Sequence, residues 1–146
     1  MTIAPEDLAA IFERAPVLAE RVRGTDSASI IASARSEIER MTEGERIGVL
    51  NAHPRIGADL ESLSTLSRRE QGGGADGATL QDLAAMNDEY ERKFGFRFVV
   101  FVAGRSKAEI VPVMRERLSR TRGDELATGI DEFLAITRDR LERMAR

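Results

Sequence analysis

The stretch TLQDLAAMNDEYERKFGFRFVVFV, residues 79–102, decides how this chain folds. Its first part reads as a helix: Thr79 opens a T-L-Q-D start, and Leu80, Leu83, Ala84, Met86, Tyr90 and Phe94 recur at helical steps up to Gly95. Gly95 suits a left-handed helix end, because it carries no Cβ to clash there. The next seven residues, Phe96 to Val102, are rich in aromatic and β-branched side chains, so local preference alone says strand. An isolated strand leaves its backbone groups unpaired, and no second strand is found elsewhere in the sequence. The segment is therefore predicted to be a buried extended connector, and the fold all-α: a single-domain helical bundle, residues 1–146, with that one connector inside it.

The flanking sequence supports a helical protein. Pro5 suits the first turn of a helix running to about Arg14, and a second short helix is expected from Pro16 to Arg23. After the Gly24-Thr25-Asp26 break, Ile30, Ile31, Ala34, Ile38 and Met41 mark one apolar face from Ser27 onward. Thr42-Glu-Gly-Glu45 is a capping box, in which a hydroxyl and a carboxylate each satisfy the other residue's backbone N–H. It opens a helix that Pro54 ends at His53, because a residue preceding proline is disfavoured in helical geometry. Residues 54–78 read as irregular and contain the run Gly72-Gly73-Gly74-Ala75-Asp76-Gly77. Ser106-Lys-Ala-Glu109 is another capping box, with its helix reaching about Arg120. Asp124 opens a final helix with its apolar face through Leu126, Ile130, Phe133, Leu134, Thr137 and Leu141.

Composition narrows the chemistry. The chain has 146 residues, a formal net charge of −3, no cysteine and one histidine. Disulfides, thiolate nucleophiles, zinc fingers and iron–sulfur ligation are excluded, and no dense Asp/Asn/Gly loop suggests a calcium site. Mild acidity argues against nucleic acid as a partner. No run approaches the ~18 consecutive apolar residues of a membrane span, and the N-terminus lacks signal-peptide character. The expected setting is cytoplasmic, since Met144-Ala145-Arg146 is not a peroxisomal S-K-L address.

Four features could carry chemistry. His53 is the only side chain with an ordinary pKa near neutrality, so it is the first candidate for proton transfer; its bland alternative is a helix-end cation favoured by the macrodipole. Ser67-Arg-Arg-Glu70 has the spacing of a capping box, but that leaves Gln71 unexplained, and its amide could read a polar heterocycle. Lys93-Phe-Gly-Phe-Arg-Phe-Val99 serves as core filling, yet an extended backbone on an aromatic floor could also bind a small molecule. Arg138 and Arg140 sit on the last helix, where Arg140 lies at the edge of the apolar stripe and could turn inward to hold a carboxylate. The glycine run is not a phosphate loop, since no Lys-Ser/Thr follows it and no strand precedes it.

Taken in order, His53-Pro54, Ser67-x-x-Glu70-Gln71, Asn87-x-x-Tyr90-x-x-Lys93-Phe94-Gly95-Phe96-x-Phe98-Val99 and Arg140-Leu141 resemble the OHCU decarboxylases. These act on 2-oxo-4-hydroxy-4-carboxy-5-ureidoimidazoline (OHCU) in urate breakdown. The resemblance implies an all-helical fold and a decarboxylation without cofactor that yields (S)-allantoin. Carried over by position, it implies His53 and Glu70 as the catalytic pair, and Pro54, Ser67, Gln71, Phe98, Val99 and Arg140 as substrate contacts, with no metal. It further implies a homodimer and, as pathway neighbours, urate oxidase and hydroxyisourate hydrolase. The competing readings are a non-catalytic helical binding module and a hydrolase of a related ureido compound.

Overall fold

In the computed structural model, residues 10–12, 18, 21–57 and 76–144 are described. Among them are five helices, α1 (Ser27–Arg40), α2 (Glu43–Asn51), α3 (Gly77–Phe94), α4 (Lys107–Arg117) and α5 (Arg122–Met144), and no strand. Most of the two N-terminal helices expected from Pro5 to Arg23 lies outside the described residues. Ile11, Phe12, Leu18 and Val22 nonetheless belong to the core.

The caps decide where the helices begin. Asp26 accepts from the Ser29 N–H at 2.7 Å and opens α1. Thr42 and Ser106 form the capping boxes read from the sequence, with Glu45 and Glu109 reaching back to the cap backbone. Two starts differ from expectation. Helix α3 begins at Gly77 rather than Thr79, because Asp76 takes the cap position and accepts from the Thr79 N–H at 2.7 Å. Helix α5 begins at Arg122, ahead of Asp124, whose N–H donates to the Thr121 hydroxyl at 3.2 Å. In each case a polar side chain three residues upstream offers the acceptor that the first turn lacks.

Helix α5 is the hub, packing against α1, α2 and α3, while α3 also packs against α4. Its apolar stripe of Ile130, Phe133, Leu134, Thr137 and Leu141 is buried as the periodicity predicts. Gly129 lets α2 approach closely: a Cβ there would stand 3.0 Å from Leu50 Cδ1. On α3 the buried face runs through Leu83, Met86, Asn87, Tyr90 and Phe94, whereas Leu80 and Ala84, expected on that face, are exposed. Gly95 ends α3 at φ +81°, the left-handed conformation expected of it.

Beyond Gly95 the chain runs through Val102 without helix or strand, and Phe96, Phe98, Val99, Val100 and Val102 are buried. Side chains supply hydrogen bonds that a neighbouring strand would otherwise give. The Arg97 N–H donates to Asn51 Oδ1 at 2.9 Å, Val99 C=O accepts from Arg117 Nη1 at 2.7 Å, and Arg105 donates to the carbonyls of Phe101 and Val102 at 2.7 and 2.9 Å. The connector is thus held inside a helical protein by arginines and one asparagine.

Candidate active site

His53 stands just past the end of α2. Its N–H closes the last turn on the Leu50 carbonyl at 3.1 Å, and Pro54, half-buried, turns the chain away. The imidazole is 5% exposed and packs nearly perpendicular to the Phe133 ring of α5, with centroids 5.2 Å apart. Neither ring nitrogen has a hydrogen-bond partner among the described residues. Burial pushes the imidazole pKa down to about 3, and the positive charges of Arg140 and then Arg97 act in the same direction. His53 is therefore held neutral at physiological pH, against its bland alternative of a helix-end cation. A neutral imidazole has one nitrogen that donates and one that accepts, and both await partners in a sheltered place.

Of the two arginines on α5, Arg140 turns inward and is 2% exposed, donating from Nη1 to the carbonyls of Ile11 at 3.0 Å and Ala10 at 3.2 Å. Arg138 is exposed and lines a different cleft of about 330 Å³ with Arg35, Phe101 and Asp131, which includes neither His53 nor Arg140. The inward cation is thus the one next to Leu141.

Phe98 and Val99 are both buried, and their side chains and backbone have different surroundings. The Phe98 ring packs against Tyr90 with centroids 5.3 Å apart and lies under the Arg117 guanidinium, 4.4 Å from its central carbon. Arg117 bridges onward to Glu125 at 2.8 Å, and fully buried Glu125 also accepts from the Tyr90 hydroxyl at 2.6 Å and from Arg120 at 3.0 Å. With the ring so engaged, a ligand would meet the connector through its backbone. The N–H groups of Phe98 and Val99 find no acceptor among the described residues.

Ser67, Glu70 and Gln71 fall between Gly57 and Asp76, outside the described residues. The described geometry therefore brings together His53, Arg140 and, through Arg97, the connector.

Two contributors carry no local signal of their role, and a third, Asn87, is marked in the sequence only as part of the family motif. Phe133 looked like ordinary core. Arg97 lies inside the Lys93–Val99 stretch, where nothing local shows which backbone it grips. Asn87 is buried, and its Nδ2 donates to the Ile56 carbonyl at 3.1 Å, tying the turn after His53 to α3. Among the described residues no group of three or more His, Cys, Asp or Glu side chains comes together to hold a metal, and no helix is long and apolar enough to cross a membrane.

The family model for OHCU decarboxylase matches residues 4–142. The chain belongs to the OHCU decarboxylase family. Relatives include the 2-oxo-4-hydroxy-4-carboxy-5-ureidoimidazoline decarboxylases of Haloferax volcanii, 27% identical over 90% of this chain and 82% of the relative, and of Amia calva, 30% identical over 90% and 82%. The uric acid degradation bifunctional protein of Bacillus sp. (strain TB-90) is 26% identical, and this chain spans 29% of its length. A crystal structure of OHCU decarboxylase in the presence of (S)-allantoin superposes with a TM-score of 0.75 at 25% identity, covering 94% of this chain and 96% of the other. The all-helical architecture is that of this family.

Proposed function

We propose that this chain carries out its family's reaction, the decarboxylation of OHCU to (S)-allantoin in urate degradation, at His53. The observation that carries the assignment is the buried neutral imidazole with both nitrogens unpartnered among the described residues, within the electrostatic reach of Arg140. Loss of carbon dioxide sends the electrons of the breaking C–C bond into the ring, and the adjacent C=N accepts them as its nitrogen takes a proton. The hydroxyl then gives up its proton to become a carbonyl, while the ureido-bearing carbon gains one on a single face. Resting neutral, His53 can accept the hydroxyl proton and return one to carbon. The negative charge of the bound substrate offsets part of the depression that burial, then Arg140 and Arg97, impose on the imidazole. General acid–base catalysis and positioning are the terms involved.

In this reading Glu70 pairs with His53 and fixes its tautomer. Arg140 and Gln71 bind the ureido and ring oxygens, Ser67 and Pro54 border the substrate, and the Phe98–Val99 backbone binds ring polar groups. The ring serves as its own electron sink, and no cofactor takes part. A homodimer working in the cytoplasm beside urate oxidase and hydroxyisourate hydrolase completes the reading.

Freshly generated OHCU incubated with the protein is expected to release carbon dioxide and give a circular-dichroism signal of one allantoin enantiomer, faster than the spontaneous reaction. Racemic product at the spontaneous rate would reveal a binding module. Ring opening without carbon dioxide would reveal a hydrolase.

A further inference from the structure

Arg97 is a charge set within an aromatic and β-branched run, and its side chain folds back onto the end of α2. Its Nη1 donates to the carbonyl of His53 at 2.7 Å and to that of Asn51 at 3.1 Å, while its own backbone N–H donates to Asn51 Oδ1 at 2.9 Å. Three hydrogen bonds thus join one connector residue to the last turn of α2. The Asn51 carbonyl is one that a helix end leaves unpaired, the His53 carbonyl lies just beyond the cap, and Pro54 prevents the helix from continuing to supply them with donors. A cation there also faces the negative end of the helix dipole. Glu91 of α3 stands 4.0 Å from Arg97 Nε, and Arg55 in turn pairs with Glu91 at 2.6 Å.

The imidazole itself has no hydrogen bond to a described residue, so its packing, which includes the Phe133 ring, and the anchored backbone fix where it points. We propose that Arg97 is the positioning residue of the active site, gripping the His53 carbonyl so that the imidazole is aimed before substrate arrives. This rests on the assignment of His53 to the chemistry. The charged groups that the described residues bring to bear on the imidazole are Arg140 from α5 and Arg97 from the connector, so removing Arg97 changes electrostatics as well as aim.

The test replaces Arg97 with Met, which keeps length and loses the donors and charge, and with Lys, which keeps charge and one donor. Misaiming a catalytic group costs rate rather than affinity, so Arg97→Met is expected to lower kcat about tenfold with KM within about twofold. Arg97→Lys should recover much of that loss. Because the chain has one histidine, its imidazole gives a single ring resonance set, and its titration midpoint should move upward in Arg97→Met. A folded Arg97→Met protein with unchanged kcat and unchanged imidazole titration overturns the proposal, as does a change confined to KM or to thermal stability. Should Arg97→Met fail to fold, Arg97→Lys and Asn51→Ala decide: a smaller kcat loss in both supports the role, and unaltered kcat in both defeats it. If the wild-type protein makes no allantoin, the functional assignment fails, while the imidazole titration still reports whether Arg97 acts on His53.

Discussion

The rings of His53 and Phe133 meet at an interplanar angle of 86° with their centroids 5.2 Å apart, which places the candidate proton carrier against the core of the longest described helix. Phe133 is fully buried, so its replacement should be felt twice. Phe133→Ala is expected to cost about 3–5 kcal/mol by leaving a cavity. Phe133→Leu keeps more of the volume and should fold, with the imidazole midpoint raised toward its ordinary value as water reaches the ring. Chemical denaturation and an imidazole NMR titration measure the two effects.

The depressed imidazole pKa makes stability depend on pH with a definite sign. In the unfolded chain His53 binds a proton below about 6.5, whereas in the folded protein it does so only near 3. Its contribution to stability is therefore complete above about 6.5 and is lost as pH falls toward 3, on the order of 1 kcal/mol per pH unit across that window. The ligand-free protein should show no histidine titration between about pH 5 and 8, the range in which an unperturbed imidazole changes charge. Urea unfolding at several pH values, compared with His53→Gln, checks the slope.

Glu125 is fully buried and accepts from Tyr90, Arg117 and Arg120, and Arg117 in turn holds Val99 C=O and covers the Phe98 ring. Removing the acid leaves Arg117 buried without compensation. Glu125→Ala should lose about 3–5 kcal/mol in denaturant unfolding. A loss below about 1 kcal/mol, the level of a surface pair, would mean the cluster is not the clamp on the connector.

Two glycines predict opposite outcomes for the same substitution. A Cβ on Gly129 would press on Leu50, which is itself fully buried and cannot yield, so Gly129→Ala should cost about 1 kcal/mol or more despite its better helix propensity. A Cβ on exposed Gly48 meets nothing within 4 Å, so Gly48→Ala should gain about 0.5–1 kcal/mol. Melting temperatures of the two single variants test the packing of α2 on α5.

Much of this architecture is written in local chemistry. Thr42-Glu45 and Ser106-Glu109 announce their helices because a cap needs only two side chains three residues apart. Gly95 announces a helix end because only its backbone tolerates that turn cheaply, and the missing partner strand announces the connector. The cap at Asp76 was passed over for Thr79 because two polar residues compete within one turn. Partners across the fold are a different matter. Nothing in the spacing of residues 53, 97 and 133 says that a carbonyl, a guanidinium and a phenyl ring converge, since that depends on how α2, the connector and α5 pack. Glu125 likewise reads as an ordinary acid in a first helical turn, and only packing makes it the centre of a buried cluster.

The most direct measurement of the central claim is turnover of fresh OHCU by His53→Gln, with its fold verified by circular dichroism. The account predicts that chiral allantoin formation falls by about 10²–10⁴-fold relative to the wild-type protein, the span general acid–base catalysis contributes. A folded His53→Gln protein that forms (S)-allantoin at the wild-type rate would contradict it.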